Sequence, residues 1–168
     1  MAWSNANPEV KLDCFWDNPA RKETYHYSDS LTFHPIDAEN YLAKMTECAG
    51  LISTAGFESV AEAMYLGKPA MMVPVPNHIE QMINAFDGEM SGAGIGASSF
   101  DLSIFKNYLP SHVSVKDQYQ EWVAKSQSLM AGHLSDLIAQ PVYVANFGQN
   151  QGTGLSGMLG RRKFRWSK

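Results

Sequence analysis

The sequence is short of charge and of cysteine, and it has no long apolar run. Charged residues make up 18 % of its 168 positions, and the formal net charge is −4. That balance gives no electrostatic reason to bind nucleic acid or an anionic membrane. Cys14 and Cys48 are the whole cysteine complement and lie in no CxxC or Cys/His cluster. A disulfide framework and a structural zinc site are therefore not expected, and two reduced thiols in a cytosolic protein are. His26, His34, His112 and His133 share no metal-like spacing; surface or capping roles suit them, and no metal or other cofactor is expected. No apolar stretch approaches the ~20 residues that would cross a bilayer. The opening MAWSNANPEV has neither the basic nor the apolar part of a signal peptide. The expectation is a cytoplasmic protein, with peripheral attachment to the inner face of a membrane left open by the basic GRRKFRWSK at the end. No internal repeat is found. What is plentiful is apolar content, 45 %, which at this length reads as a globular domain.

Along the chain, apolar runs alternate with helical patterns. Residues 10–17 read as a strand, residues 18–30 as a polar loop, and LTFHPI, residues 31–36, as a second strand closed by Pro35. Residues 37–50 read as a helix with Asp37 at the N-cap and Gly50 as the C′ glycine. LISTA is a short third strand, residues 57–66 a helix stopped by Gly67 and Pro69, and AMMVPV a fourth strand. Residues 79–91 carry Ile79, Met82, Ile83 and Phe86 at helical spacing, which predicts a helix packing on that stripe. SGAGIG, residues 91–96, reads as the turn leaving that helix, with AGIGASS as a glycine-rich end or a short fifth strand. After an irregular stretch, residues 116–139 form a long amphipathic helix carrying Trp122, Leu129, Leu134 and Leu137. The methionines, Met64, Met71, Met72, Met82 and Met90, read as core filler. Apolar strands alternating with helices predict an α/β fold: one parallel sheet with helices on both faces. Residues 1–145 form the domain, and residues 146–168 a loosely ordered tail.

In such folds ligands sit at the carboxyl ends of strands, near helix N-termini. The segment LISTAGFESVAEAMYLGKPAMMVPVP has that form. A strand ends in Thr54, Ala55 and Gly56, and a helix follows. Unpaired N–H groups and roughly half a positive charge at a helix start suit an anion, most often phosphate. Thr54 and Ser59 add hydroxyls. Glu62 lies one helical step beyond Ser59, about 4.5 Å along the axis, where a carboxylate suits a sugar diol. The same Ser59–Glu62 spacing also fits a capping box, which needs no ligand.

The stretch TAGFESVAEAMYLGKPAMMVPVPNHIEQMINA resembles the donor-binding half of the GT-B glycosyltransferases. It is similar to the nucleotide-diphosphate-sugar signature of the UDP-glycosyltransferases and to the matching segment of the bacterial peptidoglycan N-acetylglucosaminyltransferases. Gly56, Ser59, Glu62, Gly67 with Pro69, Pro74, Glu80 with Gln81, and Asn84 stand in register with that pattern. The resemblance implies a Rossmann-like C-terminal half of a GT-B fold. It implies a glycosyltransferase that uses a nucleotide-diphosphate sugar, most often a UDP-sugar, to transfer a hexose-type sugar to an acceptor hydroxyl.

Site by site, the resemblance implies that Thr54, Ala55, Gly56, Phe57, Glu58 and Ser59 hold the diphosphate and that Glu62 binds the ribose. Glu80 and Gln81 would meet the donor sugar, and Pro35 and Ile36 the nucleobase. His78 is close by in a loop. Thr54 replaces the histidine of the plant-type signature, and Glu58 stands where a small amide is usual. A carboxylate beside a diphosphate is unfavourable unless it points away. No general base is visible, and residues 1–9 are too short and polar for a first strand with its glycine loop. The chain therefore reads as part of a larger enzyme whose N-terminal acceptor domain supplies the base. Self-association through an exposed interdomain face is also expected. A nucleotide-sugar epimerase or hydrolase of the same architecture, and a non-catalytic nucleotide-sugar-binding module, are the alternatives.

Overall fold

The computed structural model describes residues 1–139. The tail from residue 146, with its basic end, lies outside the described residues. The chain divides into two compact units, Met1–Leu129 and a second beginning at Met130.

Two three-stranded sheets carry the first unit. The first is built from β1 (Leu12–Phe15), β2 (Tyr25–Ser28) and β3 (Leu31–His34), in the order β1-β3-β2. β1 runs parallel to β3, and β2 antiparallel to it. The α/β fold with parallel pairing expected from the sequence is present; what was not expected is the division into two sheets and the one strand that runs the other way. The reversed strand hides in the segment expected to be a polar loop. Its short YHYS run is joined to β3 through Asp29 and Ser30, too few residues for a parallel crossover. Cross-strand aromatics hold it. Tyr25 stacks on Phe33 at 6.4 Å, Trp16 lies 4.8 Å from Phe33, and Arg21 sits 4.2 Å over the Tyr25 ring.

The second sheet is wholly parallel: β4 (Leu51–Ser53), β5 (Ala70–Met72) and β6 (Gly94–Gly96), in the order β4-β5-β6. β5 is central and every residue of it is buried. Ala70 and Met72 face a cluster with Val60, Met64 and Ala85; Met71 and Val73 face Phe105 on the other side. Helices therefore cover both faces of this sheet, the Rossmann-like arrangement. Each buried methionine of β5 contributes about 1.5–3 kcal/mol of transfer free energy. β6 is the short fifth strand that AGIGASS offered beside a glycine-rich end. The turn itself is confined to Gly92, at φ 79°. Gly94 then pairs with Ala70 so closely that an added Cβ would lie 1.8 Å from the Ala70 carbonyl oxygen.

The helices follow their local signals. α2 (Ala38–Glu47) starts at Asp37, whose carboxylate accepts from the Asn40 N–H. It ends at Cys48, so Gly50 is not its C′ residue. Gly50 instead makes room for Phe105, whose ring would stand 2.6 Å from an added Cβ. α3 (Phe57–Leu66) ends on Gly67 in the left-handed region, φ 74°. α4 (Ile79–Met90) packs on a different stripe from the one expected: Ala85 and Gly88 are buried, while Ile79, Met82, Ile83 and Phe86 are exposed. The helix carries two stripes at the same period, 79-82-83-86 and 81-84-85-88. The small residues win because Met72 fills the space under Gly88, where a Cβ would come within 2.5 Å of its sulfur. Met82 and Met90 are accordingly surface residues, whereas Met64, Met71 and Met72 are core.

Two further helices had no strong sequence signal. α1 (Ala2–Ala6) and α5 (Leu102–Tyr108) are pinned together: Trp3 Nε1 donates to Ser103 at 2.8 Å, and Lys106 bonds Asn7 and Glu9. α6 (Lys116–Ala139) has the expected bounds but buries none of its residues, and Trp122, Leu129, Leu134 and Leu137 are exposed. Tyr119 near its start packs against the core cluster. Among the described residues, no helix is long and apolar enough to cross a membrane.

Candidate functional site

β4 and β5 end in register, Ser53 opposite Met72, so the loops that follow leave the sheet at one edge. The first loop is Thr54, Ala55 and Gly56. Ala55 is fully buried yet has φ 62°, a conformation that costs an alanine about 1–2 kcal/mol. Strain of this kind persists only where the surroundings impose it. Here the clamp is visible: Asn84 Nδ2 on α4 donates to the Ala55 carbonyl at 3.2 Å.

Gly56 is the N-cap of α3 and offers no side-chain cap. The first-turn N–H groups thus present their partial charge outward. Gly56 itself is exposed, at φ −63°, and an added Cβ would meet nothing within 4 Å. The fold gives no reason for glycine there; close approach of a ligand would. Phe57 is 69 % exposed and Glu58 is also exposed, so the Glu58 carboxylate lies in solvent.

Ser59 is the third residue of α3, not its cap. The capping-box reading of Ser59 and Glu62 is therefore corrected. Ser59 and Glu62 are both half-buried. Among the described residues no hydrogen bond or ion pair engages the Glu62 carboxylate. Burial raises its pKa above the ordinary glutamate range, and the Glu58 charge raises it further. A half-buried acceptor without a partner is what a ligand diol would satisfy.

The second loop runs to α4. His78 caps this helix through Nδ1, which accepts from the Gln81 N–H at 3.3 Å. Gln81 Oε1 in turn accepts from the Val75 N–H at 2.8 Å. That bond fixes the amide and leaves its NH2 group to donate outward. Glu80 in the first turn is exposed. Among the described residues no contact joins Glu62 to Glu80 or Gln81; the two loops meet through Asn84 and Ala55. A cavity of about 350 Å³ lies between α3, α4 and the start of α6, lined by Val60, Met64, Gly88 and Trp122 among others, and holds none of Ser59, Glu62, Glu80 or Gln81.

Pro35 and Ile36 follow β3, with Ile36 67 % exposed. Behind them lies a network that sequence reasoning did not assign. His34 is buried, and its Nε2 lies 2.7 Å from Asp13. Lys44 adds a 3.3 Å contact to the same carboxylate. Burial acts to raise the Asp13 pKa, but hydrogen bonds from His34 and Lys44 outweigh it and hold the carboxyl below its usual range. Phe15 stacks on His34 at 4.9 Å and meets Tyr41 edge-on at 5.1 Å. Tyr41 is half-buried, and burial is the main cause that raises its phenol pKa. Cys14 and Cys48 are free and half-buried, and burial raises both thiols. Among the described residues no group of three His, Cys, Asp or Glu side chains could hold a metal ion.

The profile of the family described as Glycosyl transferase family 1 matches residues 18–111, more than half of the chain. Three curated relatives share the printed name "UDP-N-acetylglucosamine--N-acetylmuramyl-(pentapeptide) pyrophosphoryl-undecaprenol N-acetylglucosamine transferase". The one from Lactobacillus acidophilus is 30 % identical over 130 residues, covering 74 % of this chain and 35 % of its own. The one from Lactobacillus helveticus is 31 % identical over 105 residues, covering 60 % and 28 %. The one from Lactobacillus delbrueckii subsp. bulgaricus is 35 % identical over 79 residues, covering 46 % and 21 %. The chain thus spans about a third or less of the length of these relatives. No solved structure matches.

Proposed function

The chain belongs to glycosyl transferase family 1, and from that premise we propose that it is the donor-binding domain of a GT-B glycosyltransferase, with UDP-N-acetylglucosamine as the donor. The nucleotide and sugar are taken from the printed name of the relatives. The observation that carries the reading is the sheet edge itself: a strained, clamped Ala55 and an uncapped helix start, with Ser59 and an unpartnered Glu62 one turn on.

In this reading the N–H groups that open α3 and the hydroxyls of Thr54 and Ser59 bind the diphosphate. Glu62 accepts from both ribose hydroxyls. Gln81, its amide fixed by Val75, donates to a sugar hydroxyl, and Glu80 accepts from another. Pro35 and Ile36 lie against the base. In the transfer step the bond between the anomeric carbon and the phosphate oxygen breaks, and a bond to the acceptor oxygen forms. Negative charge grows on the departing diphosphate, and donors already aimed at it lower the barrier. The acceptor's proton goes to a base, a contribution typically about 10²–10⁴-fold. That base and the acceptor site belong to an N-terminal domain of the same enzyme, in keeping with the span of the relatives. We assign residues 1–145 to the donor domain and name residues 146–168 its C-terminal segment.

The test is a calorimetric titration of the 168-residue chain with UDP, UDP-N-acetylglucosamine, ADP and inorganic pyrophosphate, beside a transfer assay. The expected result is measurable affinity for the uridine ligands and no turnover. Absence of affinity for every nucleoside diphosphate overturns the reading, and turnover by this chain alone overturns the division of labour.

A further inference from the structure

The face that α4 turns away from the sheet is apolar along its length. Ile79, Met82, Ile83, Phe86 and Met90 are each between 53 % and 72 % exposed, while the buried Ala85 and Gly88 hold the opposite side of the helix to the core. Ile79, Ile83, Phe86 and Met90 follow one another at intervals of four, three and four. That is the spacing of a heptad seam, along which one helix packs against another. The residues beside the seam are acidic: Glu80 and Asp87 on one flank, Glu89 on the other, with no lysine or arginine anywhere on α4. All three carboxylates are exposed. Among the described residues the ion pairs are His34–Asp13, Lys44–Asp13, Lys106–Glu9 and Lys125–Glu121, and none of them reaches α4. On its Asp87 flank the seam borders the cavity of about 350 Å³ between α3, α4 and the start of α6, a hole that a large apolar side chain can enter.

We propose that this face of α4 docks a basic amphipathic helix of another protein chain. Apolar residues of that helix, themselves at heptad spacing, lie along Ile79, Ile83, Phe86 and Met90, and its flanking Lys or Arg side chains meet Glu80, Asp87 and Glu89. A contiguous apolar patch rimmed by polar residues marks an interaction site, and here the rim decides the occupant. Charges beside a heptad seam set partner choice and orientation, and like charges brought face to face suppress wrong partners. A second copy of the chain brings no cation to these carboxylates, and antiparallel pairing sets Glu80 against Asp87. An anionic membrane is also the wrong match, because helices that lie in such interfaces carry Lys and Arg beside their apolar face. The inference goes beyond the donor site and does not rest on it: Ile83, Phe86, Asp87, Glu89 and Met90 have no part in the proposed donor contacts.

The experiment titrates the 168-residue chain with two synthetic helical peptides of three heptads. Both carry Leu at the seam positions; one has Lys at every flanking position and the other Glu. The same titrations are run on Phe86→Ser and on the double variant Asp87→Lys, Glu89→Lys. Both substitute exposed residues, and thermal unfolding monitors the fold. The expected result is saturable binding of the Lys peptide that weakens as salt is raised, and much weaker binding of the Glu peptide. Phe86→Ser should weaken the Lys peptide by roughly tenfold, and the charge-reversed variant should prefer the Glu peptide. Equal binding of the two peptides, or a preference that charge reversal leaves unchanged, overturns the inference. So does failure of the unsubstituted chain to bind the Lys peptide. Sedimentation of the chain alone and with phosphatidylglycerol vesicles tests the other occupants. A dimer that Phe86→Ser dissolves assigns the face to a second copy, vesicle binding that Phe86→Ser abolishes assigns it to a membrane, and either result overturns the proposal.

Discussion

Asn84 on α4 donates a 3.2 Å hydrogen bond to the carbonyl of Ala55, across 29 positions of sequence, and so clamps the buried left-handed alanine that precedes α3. The bond fixes the Thr54–Gly56 loop to the helix that carries Gln81. Asn84→Ala should cost about 1 kcal/mol of stability for the lost bond. It should also weaken UDP binding, because Ala55 is then free to relax and the loop changes shape. Asn84→Asp should not restore affinity, since a carboxylate has no proton to donate. Urea unfolding and a UDP titration on each variant check this.

Gly56 separates a ligand requirement from a folding requirement. Its φ is ordinary and its Cβ position is open. Gly56→Ala should therefore leave the unfolding midpoint unchanged or slightly higher. UDP affinity should fall if the proposed site is right, because the methyl group would stand where a diphosphate would approach. A destabilised Gly56→Ala that still binds UDP would reverse the assignment.

Gly94 makes the opposite prediction. An added Cβ would meet the Ala70 carbonyl oxygen at 1.8 Å, a backbone atom that cannot swing away. Gly94→Ala should cost about 3 kcal/mol or more, by forcing β6 off β5. Thermal unfolding detects it, with binding lost only in proportion to the unfolded fraction.

The raised pKa of Glu62 fixes a sign for pH dependence. The folded chain holds a proton on Glu62 more tightly than the unfolded chain does. Stability from this group is therefore present below the unfolded glutamate pKa and is lost as pH rises through the raised folded value. Glu62→Gln should be more stable than the parent at neutral pH and no different at strongly acid pH. Binding should run the other way, since the ribose needs an ionised acceptor. UDP affinity should fall as pH drops through the folded pKa, and Glu62→Gln should flatten that dependence. Denaturation and titration across pH 4 to 8, roughly the range in which shifted carboxylates titrate, read both.

Local signals carried the second half of the fold well. Asp37, Gly67 and the apolar AMMV run each state a cap or a buried strand in a few residues, and the structure uses them as such. The misses have a common cause: periodicity says where a stripe lies, not which partner it meets. On α4 two stripes share one period, and only the close approach to Met72 selects Ala85 and Gly88. β2 was illegible because its aromatic pairing with Phe33 is a tertiary fact. In the site, Gly56, Ser59 and Glu62 could be named from spacing, since they lie within two turns of one helix. The His34–Asp13 pair could not, because its members come from two strands 21 positions apart. The strain at Ala55 was invisible too, as alanine carries no sequence mark of a positive φ.

The central claim, that this sheet edge holds a nucleoside diphosphate sugar, turns on Glu62. The direct measurement is a calorimetric titration of UDP-N-acetylglucosamine into the 168-residue chain and its Glu62→Ala variant at neutral pH. The account predicts saturable binding that the substitution weakens by about 1–3 kcal/mol, roughly fivefold to 150-fold, with the fold intact. Equal affinity in the two proteins, or no affinity in either, would contradict it.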